Sequence, residues 1–585
     1  MTISNNYPTI RPSLDLDFAN SEQLDPRITF SRSTTAAYYD ANTTALAEQN
    51  LLLQSGTLTN AAWSAVNGTS STSAILASDG ISYYQIITAT SGGNRFQQIL
   101  TTLTTGLVYT LTFELYAGTS NYAGIVAGNS NSAGAIFNLS TGSVVSTSGT
   151  GVTASISAML ANGAYRCSLT FTSLGTSIYA GFGVSDGTTY NSSVYPSAST
   201  GTISGQLSQL EQRNSRTAYN ATTTSAITNY IPVLQTAPIN QARFDHDPVA
   251  RTSLGLLIEQ QSTNLWLQSQ FASGWSTTNS TTSLLNNIAP DGTQTASLLV
   301  DNTTNGGHLV QQFATTTATS HTISVYAKAY QLSSIMLYSY WDSKGTGFNL
   351  STGNIFTITG VTQNTSNSIT PVGNGWYRCS ITSTATAQTG ATGGIYTVSG
   401  TTFSYAGTGQ GIYIWGAQLE ALGFPTSYIP TQASQVTRAA DNASMTGVNF
   451  SSWYNNQQGA LFANYRMTNI TTVCGISLKS SINSGNIISV VDNSNSLSVY
   501  VNGAVSASSN FGIVTQNLPY KNALSYQVNN FGFNRNGVTT VTSSSGAIPS
   551  FIDNWTITNI NGTVSKFSYY PVALTATQLQ SLTGS

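Results

Sequence analysis

The chain repeats itself, and that constrains its fold more than any other feature. Asn50-Leu-Leu-Leu-Gln-Ser55 returns as Asn264-Leu-Trp-Leu-Gln-Ser269, Trp63-Ser64 as Trp275-Ser276, Asp79-Gly80 as Asp291-Gly292, and Gln97-Gln98 as Gln311-Gln312. Phe137-Asn-Leu-Ser-Thr-Gly142 recurs unchanged as Phe348-Asn-Leu-Ser-Thr-Gly353. Tyr165-Arg-Cys-Ser168 matches Tyr377-Arg-Cys-Ser380, Gln209-Leu-Glu211 matches Gln418-Leu-Glu420, and Tyr219 matches Tyr428. The pairs keep their order at offsets between 209 and 214, which compositional bias does not produce. A unit of about 165 residues is a duplicated domain, because solenoid repeats are far shorter. With 585 residues the chain exceeds a single core, so further domains flank the two copies.

Within a copy the alternation is that of strands. Tyr109, Leu111, Phe113 and Leu115 share one face of 109–116, with small or polar residues mostly on the other; Ile323 and Val325 do the same in 321–328. Asn162-Gly163, Asp186-Gly187 and Asn374-Gly375 mark tight turns between strands, and helical periodicity is nearly absent. The expected fold is mainly β: two tandem homologous antiparallel, jelly-roll-like β-sandwiches, then a third sandwich. The predicted divisions are an extended segment 1–49, repeat one at 50–212, a connecting strap 213–262, repeat two at 263–432, and a third domain 433–585. Pro232, Pro238 and Pro248 predict an irregular strap with short strands. In the third domain 498–503 reads as a strand entering a turn and 565–570 as the last strand. Thr575 with Gln578 forms a capping box, and Leu574 with Leu579 a hydrophobic staple, so one short C-terminal helix is expected.

Charged residues are only 6% of the chain, while hydrophobic ones are 40%. That is enough apolar surface for real cores, and too much for disorder. A surface wetted by Ser, Thr, Asn and Tyr leaves salt little to screen. With 18 Lys plus Arg and a net charge of −2 there is no basic stripe for nucleic acid. No window offers the run of about 20 apolar residues needed to cross a membrane, and the first residues lack the pattern of a signal peptide. The three cysteines, Cys167, Cys379 and Cys474, form no disulfide framework or metal spacing; Cys167 and Cys379 are repeat-equivalent, as core positions would be.

Three stretches resemble phage tail-fibre and head-spike proteins. Leu16-Asp-Phe18 followed by Leu24-Asp-Pro-Arg-Ile-Thr-Phe-Ser-Arg-Ser33 is similar to their opening. Arg243-Phe-Asp-His-Asp247, Leu254-Gly-Leu-Leu-Ile-Glu259 and Thr263-Asn-Leu265 resemble the segment that follows that opening, and Gly375-Trp-Tyr-Arg378 a strand of the next sandwich. In that family the first two run on directly; here repeat one is inserted between them, so the flanking pieces are expected to pack together. The third domain resembles a laminin-G or concanavalin-like lectin sandwich through Tyr500-Val-Asn-Gly503 and the ending 567–579. The resemblance implies a virion surface protein, located on a tail or head appendage, homotrimeric and bound to other virion subunits. It implies recognition of host-surface polysaccharide; the alternatives are a capsid-decoration or head-fibre protein and, behind both, a glycan depolymerase.

The residues speak against an enzyme. His246, His308 and His321 lie in no catalytic motif, and the 20 Asp and Glu are scattered; Glu211 and Glu420 are repeat-equivalent and read as structural. Trp63 and Trp275 recur at one site, which favours the core. Sugar-stacking candidates are Trp341 with Asp342, in a polar loop whose counterpart near Asn129 has no aromatic, and Trp453 with Tyr454 at the start of the lectin-like region. No cofactor is implied beyond a structural calcium ion, for which Asp79 and Asp291 are the candidate ligands, with Asp492 added by the lectin resemblance. A simple turn is the competing reading of each.

Overall fold

Alternating strands separated by turns give an almost entirely β chain. The computed structural model describes residues 10–584 except 130–131, 189, 192–194, 318, 365, 385–387, 469–474, 492–495, 513–514 and 516. All named sheets with a recorded register are antiparallel, and the helices among the described residues are Phe18–Ser21, Val448–Ser451 and Ala576–Gly584. None of them is long and apolar enough to cross a membrane. The chain forms two compact units, one from Leu46–Tyr230 with Leu285–Ile288, the other from the remainder.

Repeat one is a sandwich of two six-stranded sheets. The first runs Ser143–Ser148, Ala133–Asn138, Tyr122–Asn129, Ile178–Val184, Arg95–Leu100, Ser64–Val66. The second runs Thr153–Ile156, Tyr165–Thr172, Val108–Ala117, Thr202–Glu211, Tyr83–Ala89, Gly68–Leu76. Repeat two has the same order strand for strand: Asn354–Phe356, Lys344–Asn349, Ser334–Ser339, Gln388–Thr397, Leu309–Thr316, Ser276–Thr278 against Ser366–Gly373, Trp376–Thr384, Ser320–Lys328, Gly411–Glu420, Ala296–Asp301, Ser280–Asn287. Cys167 opposes Phe113 and Cys379 opposes Val325, both cysteines fully buried. Cys474 lies outside the described residues.

The repeated polar residues explain themselves as buried pins. Asn50 donates to the carbonyls of Ser208 and Asn220 and accepts from the amides of Leu52 and Leu210. Asn264 makes the same four bonds, to Ala417, Ile429, Trp266 and Leu419. Gln98 exchanges both amide bonds with the backbone of Leu53, as Gln312 does with Leu267. Glu211 takes the amide and hydroxyl of Thr217, as Glu420 takes those of Thr426. A carboxamide with all its groups satisfied inside a core fixes the strand ends around it, and truncating it would strand several backbone groups.

The third sandwich is not confined to 433–585. One sheet runs Arg243–His246, Ser253–Ile258, Gly562–Tyr570, Gln458–Met467, Pro519–Gln527, Asn530–Arg535, Val541–Ser543, with Leu14–Leu16 also paired to Gly562–Tyr570. The other runs Thr29–Ser31, Asn442–Thr446, Asn554–Thr558, Gly475–Lys479, Ile487–Val491, Ser496–Val501, Ala504–Asn510. Leu14, Leu16, Phe18, Leu256 and Ile258 enter the core around Trp555 and Phe567. Segment 1–49, expected as an extended attachment piece, is thus in large part sheet, because its alternating Leu and Phe need a core to cover them. The strap is also more regular than expected: Ile227–Ala237 is one strand, paired only with Ala36–Asn50, and a two-stranded ribbon has the free edge that Pro232 requires. Both repeats are insertions into this sandwich, after Thr29–Ser31 and after Ser253–Ile258.

The three contributing segments meet at a buried ion cluster. Arg32 lies 2.9 Å from Asp441, Arg243 lies 2.8 Å from Glu259 and also pairs with Asp441, and Arg438 is 3.6 Å from Glu259. Further bonds tie the cluster to its surroundings: Arg32 donates to the Pro238 carbonyl, Arg243 to the Ala37 carbonyl and the Ser427 hydroxyl, and Asp441 accepts the Glu259 amide. Burial works to raise the Glu259 carboxyl, but Arg438 and Arg243 overcome it and hold it at about 2. Asp245, bonded to the Tyr39 amide, is instead pushed up by burial to about 6. The C-terminal helix has the expected box: the Thr575 amide donates to Gln578 and the Gln578 amide to the Thr575 hydroxyl, above buried Leu574, Leu579 and Leu582.

Two outcomes follow from the cluster. Asp441→Ala leaves Arg32 and Arg243 buried without their main partner, and urea unfolding should show a loss of about 3–5 kcal/mol. The Glu259 contribution is present above its unfolded pKa near 4.5 and disappears as pH falls toward 2. The raised Asp245 acts oppositely, costing stability as pH rises from about 4 through about 6. Asp245→Asn, which keeps the acceptor for Tyr39, should therefore gain stability over the parent at pH 8 and lose that gain at pH 4.

Candidate functional site

The four sugar-stacking candidates separate on inspection. Trp341 follows Ser334–Ser339, where strand alternation turns it inward: it is 8% exposed, joins the repeat-two core, and donates from Nε1 to the Ser383 hydroxyl at 2.9 Å. It is a core residue, not a surface one, and its neighbour Tyr340 is the exposed ring. Asp342 accepts from the Ser339 hydroxyl and lies 3.4 Å from Lys344, so it ties its own turn. Trp453 is likewise buried, packed on Phe450 at 4.8 Å and Tyr569 at 5.0 Å, with Nε1 donating to the Asn449 carbonyl. Trp63 is buried in the core of its repeat, while its equivalent Trp275 is partly buried and packs against the repeat-two core.

The calcium candidates behave as turns. Asp79 accepts from the amides of Ile81 and Ser82 and from the Ser82 hydroxyl; Asp291 accepts from the amide and hydroxyl of Thr293. Each carboxylate stands alone, and no group of three metal-type side chains occurs among the described residues. Asp492 lies outside the described residues.

Tyr454 does line a groove. It has a volume of about 890 Å³ at the end of the third sandwich, where Asn442–Thr446 gives way to the helix Val448–Ser451 and loops carrying Ser481 and Ser550–Asp553 close the far side. The Tyr454 ring leans on Phe450 at 4.8 Å, and burial raises its hydroxyl pKa, so it stays neutral. Opposite it Phe551 is 43% exposed. Asp553 accepts from the amide and hydroxyl of Ser481; burial pulls its pKa up, but these bonds outweigh it and the carboxylate is held ionised. The hydroxyls of Ser451 and Ser550 and the Asn456 amide nitrogen make no hydrogen bond among the described residues. The exposed Phe551 ring and the half-buried Tyr454, beside unspent hydroxyl and amide groups, can stack on a sugar face while those groups bond its hydroxyls. Among the described residues that line the groove, Asp553 is the only carboxylate. Sequence reasoning reached Tyr454 but missed Phe551 and Asp553, whose sole signal was a Phe outside any alternating run, just after Pro549.

No family model matches the chain, and no curated protein matches it. Among solved structures it is similar to the N-terminal CBM22-1–CBM22-2 tandem domain of Paenibacillus barcinonensis Xyn10C, at 10% identity over 66% of this chain and 100% of that one, with a TM-score of 0.17. It is also similar to the Trypanosoma rangeli sialidase in complex with sialic acid, at 11% identity over 96% of this chain and 98% of that one, again with a TM-score of 0.17. Superpositions that poor carry no argument, and the β-sandwich assignment stands on strand order alone.

The two aromatic neighbours at the groove should separate in a stability assay. Trp453→Ala should cost about 3–5 kcal/mol, as core Trp truncations do. Phe551→Ala should stay within about 0.5–1 kcal/mol of the parent, being an exposed position.

Proposed function

We propose that this chain is a non-enzymatic, adhesive structural protein of a phage virion, of the tail-fibre or head-spike type, whose third-sandwich groove holds a host-surface glycan. The observation that carries the reading is the groove itself: Tyr454 and Phe551 face one space with free hydroxyl and amide groups around it. The sparse charge supports the reading too, since such a surface attracts neutral polysaccharide as readily in salt as in water. The resemblance of the opening and of the Arg243–Asp247 and Leu254–Glu259 segments to phage fibre proteins supplies the virion setting and the homotrimer.

Purified protein incubated with host cells and their extracted polysaccharide tests this. Saturable binding without release of reducing ends is the expected result, and Phe551→Ala should weaken it at least about tenfold, equivalent to 1.4 kcal/mol. Failure to bind cells, with labelling of the capsid in particle micrographs, would move the protein to capsid decoration. Release of reducing ends would make it a depolymerase.

A further inference from the structure

The two repeats share a framework and differ on one outer face. In repeat one, Ala123, Ile125 and Ala127 of Tyr122–Asn129 point into the core, leaving Gly124, Val126 and Gly128 outward. The strand Tyr195–Pro196 lies over these glycines: a Cβ at Gly124 would stand 2.7 Å from Pro196, and one at Gly128 2.6 Å from the Tyr195 hydroxyl. Arg95 stacks over Tyr195 at 4.5 Å and Tyr179 at 5.4 Å, and bonds Gln97. That face is covered by its own chain around Gly124 and Gly128, while Ile99 at its far end is exposed.

The pairings Ala123 with Phe137 and Ile335 with Phe348 align the repeats and put Met336, Tyr338 and Tyr340 at the corresponding outward positions; Met336 is buried in a second cluster with Leu309, Ile358 and Tyr396, and Tyr340 lies at the open end. Here the ring of Tyr340 lies over Gly394, where a Cβ would come within 3.3 Å of it. Tyr338 meets Tyr340 edge-on at 4.8 Å, and the Tyr340 hydroxyl bonds that of Tyr396. The ring is thereby fixed, yet 39% exposed. On the same face of Leu309–Thr316, Phe313 is 59% exposed. One strand, Gln388–Thr397, lies between, so the backbones that carry the two rings are about two interstrand spacings, ~10 Å, apart. Two residues before Phe313 on the same strand, Gln311 opposes Gly394, and its amide makes no hydrogen bond among the described residues, whereas its counterpart Gln97 is engaged by Arg95. No outward position described on these strands is charged.

We propose that this face of repeat two, centred on Tyr340, Phe313 and Gln311, is a second glycan site that takes a neutral, flat-faced oligosaccharide of equatorially linked pyranoses. Tyr340, held by its neighbours, offers one sugar face a ring at little entropic cost, the exposed Phe313 offers a second apolar surface two strands away, and the uncharged floor gives uronate carboxylates no cation to pair with. Repeat one lacks the pair of rings: Tyr195 covers Gly128 at the place of Tyr340, and the aliphatic Ile99 stands at the place of Phe313. The proposal rests on the reading of the chain as glycan-binding for its ligand class, but uses different residues.

Titration calorimetry of the full chain with cellohexaose, xylohexaose and mannohexaose, and with an oligoguluronate as the charged control, tests it. At least one neutral hexasaccharide should bind, Tyr340→Ala and Phe313→Ala should each weaken it at least tenfold, and Phe551→Ala should leave it unchanged. Phe313 is exposed, so Phe313→Ala should keep the parent unfolding midpoint and report on binding alone. The proposal is overturned if no neutral hexasaccharide binds, if the oligoguluronate binds better, or if binding survives both substitutions. It is also overturned if Phe313→Ala acts only by converting an oligomer to a monomer. Loss of host polysaccharide binding on Phe551→Ala, with hexasaccharide binding intact, would separate the groove from this face.

Discussion

Five charged side chains with almost no access to water hold the third sandwich to one assembly. Arg32 comes from before repeat one, Arg243 and Glu259 from between the repeats, and Arg438 and Asp441 from after repeat two. A buried ion network adds little net stability over an apolar core of equal volume, but removing one member leaves the others uncompensated. Its effect is therefore specificity: no two segments satisfy the cluster without the third. In a chain with only 6% charged residues this concentration of charge stands apart from everything else in the fold. The chain departs for each inserted sandwich within a few residues of a cluster member, at Arg32 and at Glu259.

That arrangement changes the meaning of the residues that carry the family resemblance. In the sequence Arg243, Glu259 and Asn264 belong to the segments that carry the resemblance to phage fibre proteins. In the structure Arg243 and Glu259 are ion-cluster members, and Asn264 is a carboxamide pin with four backbone partners. None of them faces a ligand. The faces proposed to receive one are elsewhere: the groove beside Tyr454, and the open end of the repeat-two outer sheet that carries Tyr340 and Phe313.

Much of this was legible in the sequence because it is local or repeated. The alternation of Tyr109, Leu111, Phe113 and Leu115, the turn residues, the shared core cysteines and the capping box of Thr575 and Gln578 each report on their neighbours. What was not legible depends on distant chain. Thr110, Thr112 and Glu114 read as a wet face, yet they are buried, because the segment near Arg213 and the Asn162 turn close over them. The pairing of Leu14–Leu16 with Gly562–Tyr570 spans nearly the whole chain and leaves no local trace. Trp341 failed as a surface residue for a similar reason: its loop is polar, but strand alternation carries through it and sends the indole inward. Phe551 and Asp553 are brought to the groove by a loop with no pattern at all.

The claim on which the account turns is that the third sandwich is one body assembled from three separated stretches. Expressing 433–585 alone and recording its circular dichroism and urea transition tests it most directly. That fragment lacks Leu14–Leu16, Thr29–Ser31, Arg243–His246, Ser253–Ile258 and three members of the ion cluster. The account predicts no cooperative transition and exposed apolar surface that binds a hydrophobic dye. A fragment that unfolds cooperatively, with native β signal, would contradict it.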